Sequence, residues 1–123
     1  MDPVTADVLR YSAFTDHGQG GNPAGVVLDA TGLTDDEMLE IAAVVGYSET
    51  AFLTQSGQSA RFGMRYFSPR AEVAFCGHAT IASAVALAEH TGSGEITLDT
   101  VAGPVTVTTR ESTDGLTASL ISV

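Results

Sequence analysis

The sequence of 123 residues contains no lysine and no tryptophan, and only 5 basic residues stand against 15 acidic ones. The formal net charge at neutral pH is therefore −10. A surface of this sign repels the phosphates of nucleic acids and of anionic lipids, so we expect neither nucleic acid nor a membrane as a partner. Charged residues make up only 16% of the chain and hydrophobic residues 44%, which excludes an intrinsically disordered protein.

Cysteine occurs once, at Cys76, which excludes an internal disulfide framework. The three histidines are scattered along the chain, and this spacing predicts no metal site. The N-terminus has neither the basic region nor the apolar region of a signal peptide. The longest apolar stretch, Ile81–Ala88, is interrupted by Ser83 and is too short to span a bilayer. We therefore expect one cytoplasmic domain over residues 1–123.

Hydrophobic periodicity predicts two helices of different character. Thr34 and Glu37 have the spacing of a capping box at the start of the first helix, and Gly46 is placed to end it. Its apolar residues recur on one face, which is typical of a helix at the surface. The second helix is predicted from Gly77 to about His90. It is alanine-rich and apolar on nearly all sides, which is typical of a central, buried helix.

Alternating apolar residues and β-branched residues predict strands before, between and after these helices. The segment Thr15–Pro23 is predicted as a loop, and the pairs Gly103-Pro104 and Asp114-Gly115 as turns. The fold class is therefore α+β, with strands that curl around the apolar helix and the other helix outside. The predicted strands are Asp7–Phe14, Ala24–Leu28, Glu49–Thr54, Arg61–Phe67, Ala71–Phe75, Glu95–Thr100, Val105–Arg110 and Leu116–Val123.

Two segments bring polar groups to positions where they could meet a ligand. The letters GNPAG occupy residues 21–25, where Asn22 offers an amide and the glycines allow close approach of a backbone. These residues are also typical of a tight turn that enters a strand. Further along, Glu49 follows Ser48 at the start of an apolar strand, where a shielded carboxyl group would serve as a proton shuttle. The alternative is an exposed glutamate at the end of a strand.

The segment from Glu72 to Thr80 is the most informative, because a cysteine and a histidine stand where the buried helix begins. Unpaired N–H groups and the helix dipole favour an anion there, such as a substrate carboxylate. In that position Cys76 would have a lowered pKa, and His78 would donate to an oxyanion or relay a proton. The alternatives are a small buried residue for Cys76 and a solvent-facing side chain for His78.

Four short segments occur along the chain in a characteristic order. They are AFT at residues 13–15 with GNPA at 21–24, SETAF at 48–52, YFSP at 66–69 with Glu72, and FCGHAT at 75–80. In this order they resemble the PhzF-like proteins of phenazine biosynthesis, and the resemblance extends over nearly the whole chain. It implies the fold of diaminopimelate epimerase, a barrel-like sheet around a central helix.

The resemblance also implies an activity, an isomerase or epimerase that moves a proton on a small carboxylate substrate without a cofactor. It implies Glu49 as the acid or base and His78 as a residue that lines the same site. Cys76 matches a proton-abstracting cysteine of the epimerase relatives, so either Glu49 or Cys76 is the main base. The residues predicted to bind substrate are Asn22, Ser48, Gly77, Ala79 and Thr80.

PhzF-like proteins consist of two similar halves with the site in the cleft between them, and this chain resembles the N-terminal half. We therefore expect the site to be completed by a second copy, in a homodimer, or by a separately encoded second half. The alternative is a catalytically inactive half-domain that acts as a small-molecule-binding or protein-interaction module. A fragment of a longer gene is the third interpretation.

Overall fold

The computed structural model of the protein describes residues 8–13, 22–113 and 115–122, and every statement below refers to these residues. Two helices and eight strands follow one another in this part of the chain. The helices are α1 (Asp35–Val45) and α2 (Gly77–Thr91). The strands are β1 (Leu9–Ala13), β2 (Asn22–Val27), β3 (Thr50–Gln55), β4 (Arg61–Phe67), β5 (Glu72–Val73), β6 (Glu95–Thr100), β7 (Gly103–Ser112) and β8 (Gly115–Ser122).

The strands form one sheet in the order β1-β2-β3-β4-β6-β7-β8, and the short β5 also pairs with β4. Neighbouring strands are antiparallel except for β2 with β3 and β4 with β6, which are parallel. Parallel neighbours need a crossover connection, and α1 and α2 lie in the two crossovers. The sheet curls so that strands near both of its edges contact α2. The predicted α+β fold, a barrel-like sheet around an apolar helix, is confirmed.

Helix α2 forms the centre of the main core. Eight of its 15 residues are buried, and five of these eight are alanines, whose small side chains let strands approach on several sides. Ser83 is also buried, and its hydroxyl donates to the Ala79 carbonyl at 2.7 Å, so this buried hydroxyl has a hydrogen-bond partner. Large side chains of the sheet fill the remaining space, among them Tyr66, Leu53 and Leu98.

Helix α1 lies on the opposite face of the sheet and follows its local sequence signals closely. The Thr34 hydroxyl accepts from the Glu37 amide at 3.1 Å, and the Glu37 carboxylate accepts from the Thr34 amide at 2.9 Å. Gly46 ends the helix with a φ of 78°, a conformation that favours glycine. The buried face of α1 contacts Phe52 and Phe67. The predicted capping box and C-terminal glycine are confirmed.

Several predicted boundaries differ from the structure: Gly115, predicted in a turn, begins β8, and three further differences follow from the pairing of the strands. Asn22 belongs to β2 rather than to a loop, because its backbone is in register with the end of β1. Gly103 begins β7 opposite the end of β6, so the turn is formed by residues 101–102. The strand predicted at Ala71–Phe75 is shortened to Glu72–Val73, because only these two residues pair with β4.

Other predictions fall outside the described residues. Residues 15–21 of the predicted loop are among them, as are both ends of the predicted strand Asp7–Phe14, Asp114 of the last predicted turn and Val123. Neither of the described helices is long and apolar enough to cross a membrane.

Candidate functional site

Three side chains from distant parts of the sequence lie together at the N-terminal end of α2. Glu49 immediately precedes β3, Cys76 is the N-cap residue of α2, and His78 is in the first turn of the helix. Glu49 Oε2 lies 3.2 Å from His78 Nε2. Cys76 Sγ lies 3.3 Å from Nδ1 and 3.7 Å from Nε2 of the same ring. The Glu49–Cys76–His78 cluster therefore forms one compact polar site.

The position of Glu49 depends on a close contact between β2 and β3. The Gly25 amide donates to the Glu49 carbonyl at 3.2 Å. A Cβ atom at Gly25 would lie 2.9 Å from Thr50 Oγ1 and 3.2 Å from Val45 Cγ1, so a larger residue would require these side chains to shift. The sequence suggested that a ligand approaches closely at residues 21–25, whereas at Gly25 the close contacts are made by side chains of β3 and α1.

The start of α2 is held from inside the barrel by a chain of hydrogen bonds. The Thr80 hydroxyl donates to the Cys76 carbonyl at 2.8 Å. The Tyr66 hydroxyl, 2.5 Å from Thr80 Oγ1, is therefore the donor in that pair. Burial raises the pKa of Tyr66 to about 12, so the phenol keeps its proton at neutral pH. The alternating pattern of β4 placed Tyr66 on the core face, but nothing in one strand indicates which helix hydroxyl it reaches.

The same hydrogen bonds correct the prediction for Thr80. Its side chain is fully buried, and its amide donates to the Cys76 carbonyl at 3.0 Å as the first regular bond of α2. Neither group is therefore available to a substrate. Ala79 is also fully buried, so its side chain does not line the site, and only its amide faces the cluster.

The remaining predicted binding residues are placed as follows. Gly77 is partly buried beside the cluster. A Cβ atom at this position would lie 4.0 Å from Phe75 Cε2, so the absence of a side chain leaves open space there. Ser48 is exposed and precedes Glu49. Asn22 pairs with Ala13 through the backbone, whereas its side chain lies outside the described part of the molecule. Their roles in binding stay predictions.

The thiol of Cys76 differs from the expectation for a helix N-terminus. Burial raises the pKa of Cys76, and the Glu49 carboxylate raises it further. The backbone amides of Ala79 and His78 lower the pKa of Cys76. Among the described residues, the Cys76 side chain makes no hydrogen bond that caps the helix. The predicted lowering of the thiol pKa is therefore wrong, because the thiol of a residue that is only 9% exposed, beside a carboxylate, resists ionisation.

The carboxylate of Glu49 is shielded but not satisfied. Its Oε2 atom is buried and accepts no hydrogen bond from the described residues, although His78 Nε2 is near enough for an ion pair. The Glu49 and His78 side chains are 21% and 20% exposed, so small molecules and ions can reach the cluster. One oxygen, sulfur or nitrogen atom from each of the three residues lies within 4.8 Å of the others. The resemblance implied that these three residues share one site, whereas the metal-ligand argument considered only the histidines and Cys76 and predicted no metal site.

Comparison with known proteins gives this site a family context. The sequence model of the family described as phenazine biosynthesis-like protein matches residues 11–122. The chain is 54% identical over 84 residues to the uncharacterized isomerase YfhB of Bacillus subtilis, covering 68% of this chain and 28% of that protein. It is 41% identical over 115 residues to the uncharacterized isomerase YddE of Escherichia coli K12, covering 92% of this chain and 38% of that protein.

Solved structures agree with the sequence comparison. A phenazine biosynthesis protein of the PhzF family from Bacillus anthracis superposes with a TM-score of 0.81 at 39% identity, over 92% of this chain and 39% of that one. A predicted epimerase from Pseudomonas aeruginosa, at 23% identity, superposes with a TM-score of 0.88, which shows the fold alone. The chain thus spans well under half the length of these relatives. The family match over residues 11–122 shows that it belongs to the phenazine biosynthesis-like, or PhzF-like, proteins.

Proposed function

We propose that this chain carries the acid and base groups of an isomerase that moves a proton on a small carboxylate substrate without a cofactor. The observation that supports the proposal most directly is the shielded Glu49 carboxylate 3.2 Å from His78 at the N-terminal end of α2. A carboxylate is a common general acid or base where it lies within hydrogen-bond reach of the reacting group. The names of the relatives, which include uncharacterized isomerases, support the same class of reaction.

In the proposed reaction Glu49 is the base. It takes a proton from a carbon next to the substrate carboxylate, and the C–H electron pair becomes shared with the adjacent π system. The same proton then returns from Glu49 to a different carbon on the same face, or a proton from solvent or a second donor is added on the opposite face. The raised pKa of Cys76 keeps this thiol protonated and favours Glu49 over Cys76 as the base.

The substrate carboxylate would bind where α2 begins. The amides of the first helical residues have no partner within the helix, and the helix dipole favours a negative charge beside them. Gly77 keeps the approach free of a side chain, and His78 is placed to donate to the substrate. These contacts would hold the reacting carbon against Glu49.

We also propose that the exposed side of the cluster is covered by another protein segment. A second copy of this chain would form a homodimer, and a segment equivalent to the remaining length of the relatives would form a heterodimer or a longer polypeptide. Sedimentation of the pure chain tests the first option, because a monomer at high concentration would contradict it. The cytoplasmic location stays a prediction from the sequence.

The test of the activity is the incorporation of solvent deuterium into small amino acids and hydroxy acids. The protein is assayed alone and mixed with the remaining segment of a relative. We expect Glu49→Gln to lower the exchange rate by about 10²–10⁴-fold, since the amide keeps the shape of the side chain and cannot act as a base. Glu89→Gln, at an exposed position near the other end of α2, is the matched control and should keep the wild-type rate.

Two outcomes would contradict the proposal. Wild-type exchange by the Glu49→Gln protein would eliminate Glu49 as the base, and a larger loss in Cys76→Ser would assign that role to the thiol. No exchange by the wild type in any pairing would favour the other interpretation, an inactive half-domain that binds small molecules or proteins.

A further inference from the structure

The Glu49–Cys76–His78 cluster brings together the three kinds of side-chain atom that most often bind transition metals, a sulfur, an imidazole nitrogen and a carboxylate oxygen. One such atom from each residue lies within 4.8 Å of the other two. We infer that the cluster binds a divalent cation of the Zn²⁺ class, with a further coordination position that faces solvent. The inference concerns the same residues as the proposed isomerase but does not rest on that activity.

The separations between the atoms fit this class of ion. Zinc bonds of about 2.3 Å to sulfur and about 2.0–2.1 Å to nitrogen or oxygen place tetrahedral ligands about 3.4–3.6 Å apart. His78 Nε2 lies 3.2 Å from Glu49 Oε2 and 3.7 Å from Cys76 Sγ. These two distances lie on either side of the required range. The third pair, Cys76 Sγ and the Glu49 carboxylate oxygen, lies within 4.8 Å, so the side chains would have to rotate to bring all three atoms to one ion.

The unsatisfied carboxylate oxygen is a second and independent observation. Glu49 Oε2 is buried, yet it accepts no hydrogen bond from any described residue. His78 Nε2 lies 3.2 Å away without forming a hydrogen bond, so this buried oxygen is incompletely satisfied, and a bound cation would satisfy it. Glu49 and His78 keep about one fifth of their side-chain surface exposed, which gives an ion access to the cluster. The net charge of −10 also raises the local concentration of cations.

The chemistry of the ligands defines the selectivity. Sulfur and imidazole favour Zn²⁺ and Co²⁺, whereas Mg²⁺ prefers an all-oxygen site with octahedral geometry. When the metal binds, the S–H bond of Cys76 breaks, its proton passes to the solvent, and the sulfur electron pair forms the bond to the metal. A bound ion would also occupy the Glu49 carboxylate. Zn²⁺ would therefore inhibit proton exchange by competition at the base.

The experiment uses the whole chain, reduced and freed of metal with a chelator. Co²⁺ is titrated while the absorption spectrum is recorded, because a cobalt–thiolate bond produces a charge-transfer band in the near ultraviolet. Since Cys76 is the only cysteine, any such band reports on this residue. Zn²⁺ affinity is then measured by competition with a chromophoric chelator. We expect one ion per chain, a thiolate band with Co²⁺, and no competition by Mg²⁺.

Variants identify the other two ligands. Glu49→Gln, His78→Gln and Cys76→Ser should each weaken Zn²⁺ binding by about tenfold or more. His90→Gln is the matched control, because His90 is exposed near the opposite end of α2, and it should leave the affinity unchanged. Circular dichroism confirms that each variant is folded.

The wild-type spectrum is decisive even if a variant fails to fold. Absence of the thiolate band would overturn the proposal, as would Zn²⁺ binding that survives in His78→Gln or is lost in His90→Gln. A protein that binds Zn²⁺ through Cys76 but shows no proton exchange would support the metal site and contradict the proposed isomerase.

Discussion

The two helices of this protein start in opposite ways. At α1 the chain caps its own N-terminus, because Thr34 and Glu37 each accept a hydrogen bond from the backbone amide of the other, and Asp35 and Asp36 add negative charge to the first turn. At α2 the N-cap residue is Cys76, which makes no capping hydrogen bond, and the first turn contains no acidic residue. The first helix therefore satisfies its positive end locally, and the second leaves it available for chemistry.

The difference shows where each helix obtains its stability. Helix α1 has strong local signals but buries only one face, and Val44 on its outer side is 81% exposed. Helix α2 lacks a side-chain cap and is instead enclosed by the sheet. An N-terminus without a cap costs stability, and tertiary packing offsets that cost for α2. The four predictions below test this contrast, beginning with the largest expected effect.

The first prediction tests how completely the sheet encloses α2. Leucine at Ala82 or Ala84, both buried, should lower the free energy of unfolding in urea by about 1–3 kcal/mol each, because the added carbons have no space. On α1, leucine substitutions at the neighbouring residues Ala42 and Ala43 should have different effects on stability. Ala42→Leu should be destabilising, whereas Ala43→Leu, at an exposed position, should stay within about 0.5 kcal/mol of the wild type. An Ala84→Leu protein with the free energy of unfolding of the wild type would mean that this side of α2 is not enclosed.

The second prediction compares the two caps. Thr34→Ala removes the acceptor for the Glu37 amide and should lower the free energy of unfolding by about 1 kcal/mol. Thr34→Ser is the control and should retain most of the stability. Cys76→Ser should have a smaller effect than Thr34→Ala, since a hydroxyl can cap α2 and so offset the lost burial of sulfur. An equal loss at both positions would contradict the contrast.

The third prediction concerns the bond that anchors the start of α2. Tyr66→Phe removes the donor to Thr80 but leaves the Thr80 bond to Cys76, so the free energy of unfolding should fall by about 1 kcal/mol. Tyr47→Phe, at a partly buried tyrosine without such a bond, is the control. Thermal unfolding monitored by circular dichroism measures both. Equal effects of the two substitutions would remove the special role of Tyr66.

The fourth prediction concerns the outer attachment of α1. Arg65 donates twice to Glu72, at 2.8 Å each, and once to Asp35 of α1 at 2.7 Å. These bonds hold the pKa values of both carboxyl groups below their usual range. Arg65→Gln removes the partly exposed pair with Glu72, which is worth about 0.2–1 kcal/mol at neutral pH.

The pH dependence of this last effect has a defined sign. A carboxylate whose pKa is lowered by folding stabilises the protein above its unfolded pKa, about 4.3 for glutamate, and loses this contribution as the pH falls through the lower folded value. The difference between wild type and Arg65→Gln should therefore begin to shrink as the pH falls below about 4.3, and should be lost only below the lowered pKa values of the folded protein. Arg70→Gln, at an exposed arginine nearby, is the control. A difference that grows on acidification would contradict the assignment.

Local signals made α1 predictable almost residue by residue. A capping box, a helical spacing of apolar residues and a glycine at the end each act within a few positions of the chain. The same holds for the strands with regular alternation, such as β4. The boundary errors occurred where pairing with a distant strand overrides turn residues, as at Asn22 and Gly103.

The sequence identified the residues of the candidate site, but not their contacts with one another or their pKa shifts. The segments that contain Glu49, Cys76 and His78 are distinctive in sequence, so the three residues could be identified from it. The pKa shift of Cys76 depends on burial and on a carboxylate from another strand, and neither appears within the helix segment. Thr80 likewise resembles a ligand-binding residue until the position of Tyr66 is known.

The enclosure of α2 also has a consequence for how the chain folds during synthesis. The helix contacts β1 and β2, which precede it, and β7 and β8, which the ribosome makes later. The alanine-rich surface of α2 is therefore synthesised before β7 and β8, which form part of the sheet around it. Contacts between such distant parts of a chain slow folding, and the delay leaves apolar surface exposed to aggregation. Nascent chains that end between α2 and β7 should therefore be the ones that depend most on chaperones.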